Sequence, residues 1–248
     1  MRVRDDGEVI RQMIVPATTT PLDPRPTLVL FDLDRTIADY DGAKLVRTQY
    51  AFEPHFNDRD RLDRAVADAL AHGGEGADHF EQVLAGHGIS EPDLVEEARR
   101  RFMADLYRGL RLFDETLEIV AAVSQVASVG LVTNGPTAIQ RPKIDLLELE
   151  PLFAVIVISE EAGVWKPDPG IFQIALERCD VAAANAIYVG DSAEHDIPGA
   201  HAAGMRAVWV NRLGIDWPGA SPPDAEIRDL YQLLPLLGIE RSSAMRSS

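Results

Sequence analysis

Four consecutive β-forming residues, Leu28, Val29, Leu30 and Phe31, stop at Asp32, and a second carboxylate, Asp34, follows two positions later. A continuous apolar run of this length predicts a strand buried on both faces, of the kind found in the centre of a parallel sheet. Open sheets of that class bind ligands beyond the carboxyl ends of their strands, where Asp32 and Asp34 would lie. Residues two apart share one side of an extended segment, so both acids can address one object. Neighbouring acids repel, and the pair therefore asks for a cation. A lone Asp-x-Asp after a strand reads as an Asx-type turn, so the weight rests on what else the chain brings to that edge.

From Leu112 onward helix and strand alternate. Helical periodicity over 116–126 is followed by a strand at 128–133, a helix at 137–147 and a short apolar strand at 153–158. A helix at 169–179, a strand at 186–189 running into Gly190-Asp191, a helix at 197–203 and a strand at 206–210 complete the series, with a last helix at 229–237. Such alternation with short connections predicts an α/β fold with a doubly wound parallel sheet. Residues 41–110 break the pattern. Leu62, Ala65, Val66, Ala69 and Leu70, and then Val95, Ala98, Phe102, Leu106 and Leu110, follow helical spacing with breaks at 72–74 and 86–88. This stretch reads as a four-helix insertion between the two parts of the core, 27–40 and 111–240. Residues 1–26 mix charge with Thr and Pro and read as an unstructured leader; 241–248 read as a frayed tail.

The formal net charge of -16 disfavours nucleic acid or an anionic membrane as partner, because both would repel it. Acids also outnumber bases within 41–110, so no basic surface there would hold a large polyanion. The single cysteine, Cys179, can form neither an internal disulfide nor a thiolate metal cluster. No stretch approaches the ~18–20 apolar residues of a membrane span, and the acidic N-terminus lacks a signal-peptide core, so the expected location is the cytoplasm. An anionic small molecule remains an admissible partner, given local positive charge at its site.

Four stretches fall at predicted strand ends or in the following loops: Asp32-Leu33-Asp34, Thr133-Asn134-Gly135, Lys166 in VWKPDP, and Gly190-Asp191-Ser192 with Asp196. A doubly wound sheet collects these ends along one edge. The inventory suits phosphoryl transfer through a metal: carboxylates for Mg²⁺, a cation against phosphate charge, and small polar groups for phosphate oxygens. Neither a GxxxxGK[ST] nor a GxGxxG loop is present, so the nucleophile should come from the protein, with Asp32 the candidate. Taken singly, Asp191 reads as a turn, Asp196 as a helix cap, Thr133-Asn134-Gly135 as a turn and Lys166 as a surface lysine. Four such coincidences at four strand ends are improbable. The six histidines show no ligand spacing, and Tyr50, Phe52, Phe80 and Phe102 fit a core for the inserted helices.

FDLDRTIAD, LVTNGP, the lysine of VWKPDPGIF and GDSAEHDIPGA resemble the four motifs of the haloacid dehalogenase-like hydrolases, in order and at matching spacing over residues 27–214. The helical insertion is similar to that family's α-helical cap of the first type. The segments around LVTNGPTAIQRPKIDLLEL and GVWKPDPGIFQIAL look most like pyrimidine nucleotidases and N-acylneuraminate phosphatases. The resemblance implies a Rossmann-like core and a Mg²⁺-dependent phosphatase acting on a small phosphorylated metabolite, of the nucleotide or sugar phosphate class. Asp32 would be the nucleophile that becomes an aspartyl-phosphate, and Asp34 the acid that protonates the leaving alkoxide and then deprotonates water. Thr133 and Asn134 would contact phosphoryl oxygens and Lys166 would offset their charge. The metal would be held by Asp32, the Asp34 main-chain carbonyl and Asp191, with Asp196 as ligand or neighbour.

The same resemblance leaves other readings in view. A phosphotransferase or mutase would use the same intermediate with another acceptor. A haloacid dehalogenase needs no metal, and Asp34 together with Asp191 speaks against it. A binding protein on an inactive hydrolase fold is suggested only by Arg35, which stands where the family usually has glycine. Arginine fits a tight turn there only with negative φ; otherwise the loop is altered.

Overall fold

The computed structural model of the chain describes residues 21–73 and 76–240. Most of the expected leader and all of the expected tail lie outside those residues. In chain order, β1 (Leu28–Phe31) is followed by α1 (Tyr40–Phe52), α2 (Arg59–Ala71), α3 (Phe80–Gly86) and α4 (Pro92–Ala104). Then come α5 (Thr116–Val123), β2 (Ser128–Thr133), α6 (Thr137–Leu146), β3 (Val155–Ile158), α7 (Ser159–Ala162) and α8 (Pro169–Cys179). The chain ends with β4 (Ala186–Gly190), α9 (Asp196–Ala202), β5 (Arg206–Val210), β6 (Ala225–Ile227) and α10 (Leu233–Leu236).

The six strands form one parallel sheet in the order β3-β2-β1-β4-β5-β6. β1 is central, between β2 and β4, and all four of its residues are fully buried. The apolar run has no polar alternation because both faces are covered. Leu28 and Leu30 pack with Val132, Tyr188, Phe172 of α8 and Ile197 of α9. Val29 and Phe31 point the other way, into a cluster with Leu131, Val189, Ile119 of α5 and Leu234 of α10. This is the doubly wound α/β architecture that the alternating pattern predicts.

Helices α1 to α4 bury a third cluster of their own, centred on Phe52, Phe80 and Phe102. The rings of Phe52 and Phe80, and of Phe80 and Phe102, meet edge to face with centroids 4.7 and 5.0 Å apart. Tyr50 lies outside this cluster, with the guanidinium carbons of Arg101 and Arg108 4.1 and 3.7 Å from its ring centre. The chain leaves the sheet through Ala38 and Asp39 and returns through Arg111 and Leu112, and the two passes run side by side. Ala38 and Leu112 form an antiparallel bridge, and the Asp39 N–H donates to the Arg111 carbonyl at 2.9 Å. Asp39 also accepts from the Gly42 N–H and caps α1, while its other oxygen pairs with Arg111 at 2.7 Å. One carboxylate thus fixes both the start of the helical insertion and its return.

Several boundaries differ from those predicted. α5 ends at Val123 and residues 124–127 turn back onto its last carbonyls. Leu106 and Leu110 lie in turns after α4 ends at Ala104. The helix expected at 229–237 begins as a 3-10 turn, Leu230–Gln232, because the Asp229 side chain accepts from the Gln232 N–H and tightens it. Strand β6 and the single-turn α7 were not anticipated. No helix of the described residues is long and apolar enough to cross a membrane.

Candidate active site

Asp32 directly continues β1: its N–H donates to the Val189 carbonyl of β4 at 2.9 Å, so the ladder holds it to the first residue beyond the strand. Leu33 is fully buried in the core and anchors the turn, leaving the flanking Asp32 and Asp34 at the carboxyl edge of the sheet. Thr133 ends β2, Lys166 follows α7 and β3, and Asp191 and Asp196 follow β4. All seven residues singled out in the sequence line one cavity of about 670 Å³. Its other wall comes from α1, the end of α4 and the turn after α4, through Tyr40, Arg47, Met103, Leu106 and Tyr107.

The Lys166 ammonium is the hub. Nζ lies 2.6 Å from Asp32 Oδ1, 2.8 Å from Asp196 Oδ1 and 2.9 Å from the Tyr188 hydroxyl, which donates onward to the Val132 carbonyl. Burial works against this ammonium, but Asp196 and Asp32 outweigh it and hold Lys166 above the ordinary lysine range. Asp196 is fully buried and its second oxygen accepts from the Ser192 N–H at 2.9 Å. It sits where Gly190 has no side chain: a Cβ there would collide with the Asp196 carboxylate. Asp191 is fixed by its main chain, whose carbonyl accepts from Trp209 Nε1 at 2.8 Å.

Asp32, Asp191 and Asp196 each offer an oxygen within 4.8 Å of the others. Burial pushes the Asp32 carboxyl up to about 7, with Lys166 pulling against it and Asp196 adding to the rise. Burial raises Asp191 to about 8, helped by the charges of Asp32 and Asp196. Asp196 Oδ1 is an ion-pair partner of Lys166 without a well-directed hydrogen bond. Matched by one lysine, the three crowded carboxylates can ionise together only with further positive charge beside them. The donors are all oxygen, so the set fits a hard divalent cation such as Mg²⁺.

Asp34 stands apart from this group. Both its oxygens contact Lys143 Nζ, at 2.8 and 2.7 Å, and Gln140 Nε2 donates to one of them at 3.2 Å. Gln140 also donates to Thr133 Oγ1 at 2.6 Å and to the Asn134 carbonyl at 3.1 Å. Asn134 uses its side chain on the main chain of Lys166, accepting from its N–H at 2.9 Å and donating to its carbonyl at 3.0 Å. In this arrangement its side chain positions Lys166. Gln140, Lys143 and Tyr188 were not singled out in the sequence. The first two are ordinary helix residues, and only the packing of α6 beside the Asp34 turn reveals them.

Arg35 corrects an expectation. Its φ is 63°, in the left-handed region that favours glycine, not the negative value an arginine was expected to need. That backbone costs a non-glycine residue roughly 1–2 kcal/mol. The surroundings enforce it: the Arg35 N–H donates to the Ala38 carbonyl, and Arg212 donates to the carbonyls of Arg35 and Thr36 at 3.3 and 2.9 Å. Arg212 is itself held by Glu115 at 2.8 Å and stacked 3.5 Å from the Phe113 ring centre. The Arg35 guanidinium pairs with Asp41 of α1 at 2.8 Å. His195 is exposed at the rim of the cavity, and its Nδ1 lies 3.0 Å from Ser192 Oγ.

Residues 29–210 match the family model described as haloacid dehalogenase-like hydrolase. A phosphoserine phosphatase of Thermus thermophilus is 34% identical over 159 residues, 62% of this chain and 64% of that protein, so the match spans just under two thirds of that relative. The N-acylneuraminate-9-phosphatase of Homo sapiens is 26% identical over 237 residues, 86% of this chain and 94% of that protein. Among solved structures, magnesium-bound HAD-hydrolase YfnB of Bacillus subtilis superposes with a TM-score of 0.63 at 26% identity, covering 87% of this chain and all of that one. A 2-haloacid dehalogenase of Pseudomonas syringae pv. Tomato gives a TM-score of 0.56 at 29% identity, over 86% of this chain and 98% of the other. The four motifs, the sheet that gathers them and these matches place the chain in the haloacid dehalogenase-like hydrolase family, as a hydrolytic enzyme.

Proposed function

We propose that the chain is a Mg²⁺-dependent phosphatase for a small phosphomonoester, working through an aspartyl-phosphate on Asp32. The observation that carries this reading is the division of labour among the acids. Asp32, Asp191 and Asp196 crowd within 4.8 Å, while Asp34 is held apart by Lys143 and Gln140. Phosphoryl transfer to a carboxylate needs both arrangements, a charged cradle around the nucleophile and a separate carboxyl for the proton.

Asp32 attacks phosphorus as the ester P–O bond breaks, and Asp34 gives a proton to the departing alkoxide. Asp34 then takes a proton from the water that attacks the aspartyl-phosphate, releasing phosphate and restoring Asp32. For Asp34 to carry that proton, its contact with Lys143 must loosen when an ester occupies the cavity. Lys166 stays charged throughout, held by Asp196, and offsets charge on the transferring group. Asp32, Asp191, Asp196 and the Asp34 carbonyl would hold the metal, which supplies electrostatic stabilisation of the phosphoryl oxygens. The phosphatase names of the relatives support the same reaction class.

The likeness to a 2-haloacid dehalogenase raises hydrolytic dehalogenation as a second reading. A departing halide needs no proton, so Asp34 would have no task there, and the crowded Asp32, Asp191 and Asp196 would have no divalent cation to hold. Turnover of p-nitrophenyl phosphate with and without EDTA decides between them. Mg²⁺-dependent phosphate release supports the phosphatase, whereas chloride release from 2-chloropropionate in EDTA without phosphatase activity overturns it.

A further inference from the structure

Among the described residues, the lysine and arginine side chains that line the cavity are Arg35, Arg47, Lys143 and Lys166. Three have carboxylate partners, Asp41 for Arg35, Asp34 for Lys143, and Asp32 with Asp196 for Lys166. Arg47 does not. It projects from α1 and is only 5% exposed, with its guanidinium carbon 4.0 Å from the centre of the Phe102 ring. Nη1 donates to the Leu106 carbonyl at 2.9 Å. Among the described residues Nε is a buried donor with no acceptor, and no carboxylate pairs with the group. Nε and Nη2 form the edge of a guanidinium that offers two parallel N–H bonds to a carboxylate. Phe102 and Leu106 thus hold a dehydrated cation with that edge unused, and such a cation calls for an anion.

We propose that Arg47 binds a carboxylate of the substrate, which makes the substrate a phosphomonoester of a small hydroxy acid. The proposal rests on the phosphatase reading of the Asp32 site and adds the chemistry of the far end of the ligand. One guanidinium matches one negative charge. A second phosphate, carrying up to two, would need another cation, and the other three in the cavity are engaged. The apolar side chains of Met103, Leu106 and Ile139 line the same space and suit a short carbon skeleton. Arg47 therefore acts as a specificity determinant of the helical insertion, outside the reacting groups.

The test compares two esters that differ only at the far end, the O-phosphate of 3-hydroxypropanoic acid and that of its primary amide. kcat/KM is measured for both with the wild-type protein, Arg47→Met and Arg47→Lys. The wild type is expected to prefer the acid by at least about tenfold, chiefly through KM. The acid-to-amide ratio should collapse towards unity in Arg47→Met and fall between the two in Arg47→Lys, which keeps the charge but loses the fork. Each protein's ratio is its own reference, so a general loss of activity does not enter. A wild-type ratio of unity or below, or a ratio unchanged in Arg47→Met, overturns the proposal. If Arg47→Met does not fold, the wild-type ratio and the Lys variant carry the decision. If the wild type turns over neither ester nor p-nitrophenyl phosphate, the phosphatase reading has failed by itself. Calorimetric binding of the corresponding phosphonate acid and amide then decides the role of Arg47. Acid-selective binding that Arg47→Met abolishes sustains it, and equal binding of acid and amide overturns it.

Discussion

Raising the pH of the metal-free protein should destabilise it, against the usual behaviour of paired carboxylates. In the folded chain burial lifts Asp32 to about 7 and Asp191 to about 8, whereas both lie near 3.8 when unperturbed. Between those limits the folded state holds protons that the unfolded state has lost. Stability from each group is therefore fully present below about pH 4 and lost as pH rises through its folded value. The slope approaches one proton per group, about 1.4 kcal/mol per pH unit, and flattens through the folded value, so from about pH 5.5 to 7.5 the cost is about 2 kcal/mol for Asp32 and about 2.5 kcal/mol for Asp191. For a chain of this size that corresponds to a fall on the order of 5–10 °C in Tm per group. Thermal or urea unfolding in EDTA at about pH 5.5, 6.5 and 7.5 measures it. Asp191→Asn isolates one contribution: the variant should be the more stable protein at the upper pH and should show a flatter slope. Saturating Mg²⁺ should restore stability to the wild type, more at the upper pH than at the lower, because binding needs the ionised carboxylates. Equal slopes for wild type and Asp191→Asn, or Mg²⁺ stabilisation independent of pH, would refute the reasoning.

Three further substitutions probe the frame around the acids. Gly190→Ala drives a Cβ into the Asp196 carboxylate, so Asp196 must leave Lys166; phosphatase kcat should fall at least about tenfold and Tm by several degrees, and wild-type behaviour would contradict the packing. Arg35→Gly removes left-handed strain of roughly 1–2 kcal/mol and an exposed ion pair worth about 0.2–1 kcal/mol. The net expectation from urea unfolding is a change between neutral and about 2 kcal/mol of stabilisation, and a net loss would show that the Asp41 pair anchors the turn. Gln140→Leu cuts the hydrogen bonds to Asp34, Thr133 and the Asn134 carbonyl; its kcat should drop about tenfold or more while Mg²⁺ affinity by calorimetry stays close to wild type, since the metal-binding acids lie elsewhere.

The sheet was legible because its central strands are buried on both faces, and a run such as Leu28–Phe31 has no other soluble home. β6 was not. It is three residues, Ala-Glu-Ile, and its strand character comes from pairing with Val208 to Val210 rather than from its own pattern. Asp32, Asp191 and Lys166 could be singled out because strand ends converge in this topology. Lys143, Gln140 and Arg47 sit on helices where lysine, glutamine and arginine are ordinary, and tertiary packing alone buries them beside the cavity. Arg35 shows the converse limit. Local preference argues for negative φ, and the brace from Arg212 and Glu115 overrides it.

The central claim is that Asp32 becomes phosphorylated. Rapid acid quench of the wild-type protein during turnover of p-nitrophenyl phosphate with Mg²⁺, followed by peptide mass spectrometry, measures this directly. The expected result is phosphate on the peptide containing Asp32, labile to hydroxylamine and absent from Asp32→Asn, whose kcat should be lower by several orders of magnitude. Steady phosphate release with no protein-bound phosphate at any quench time, alongside an Asp32→Asn variant that keeps about a tenth of wild-type kcat or more, would contradict it.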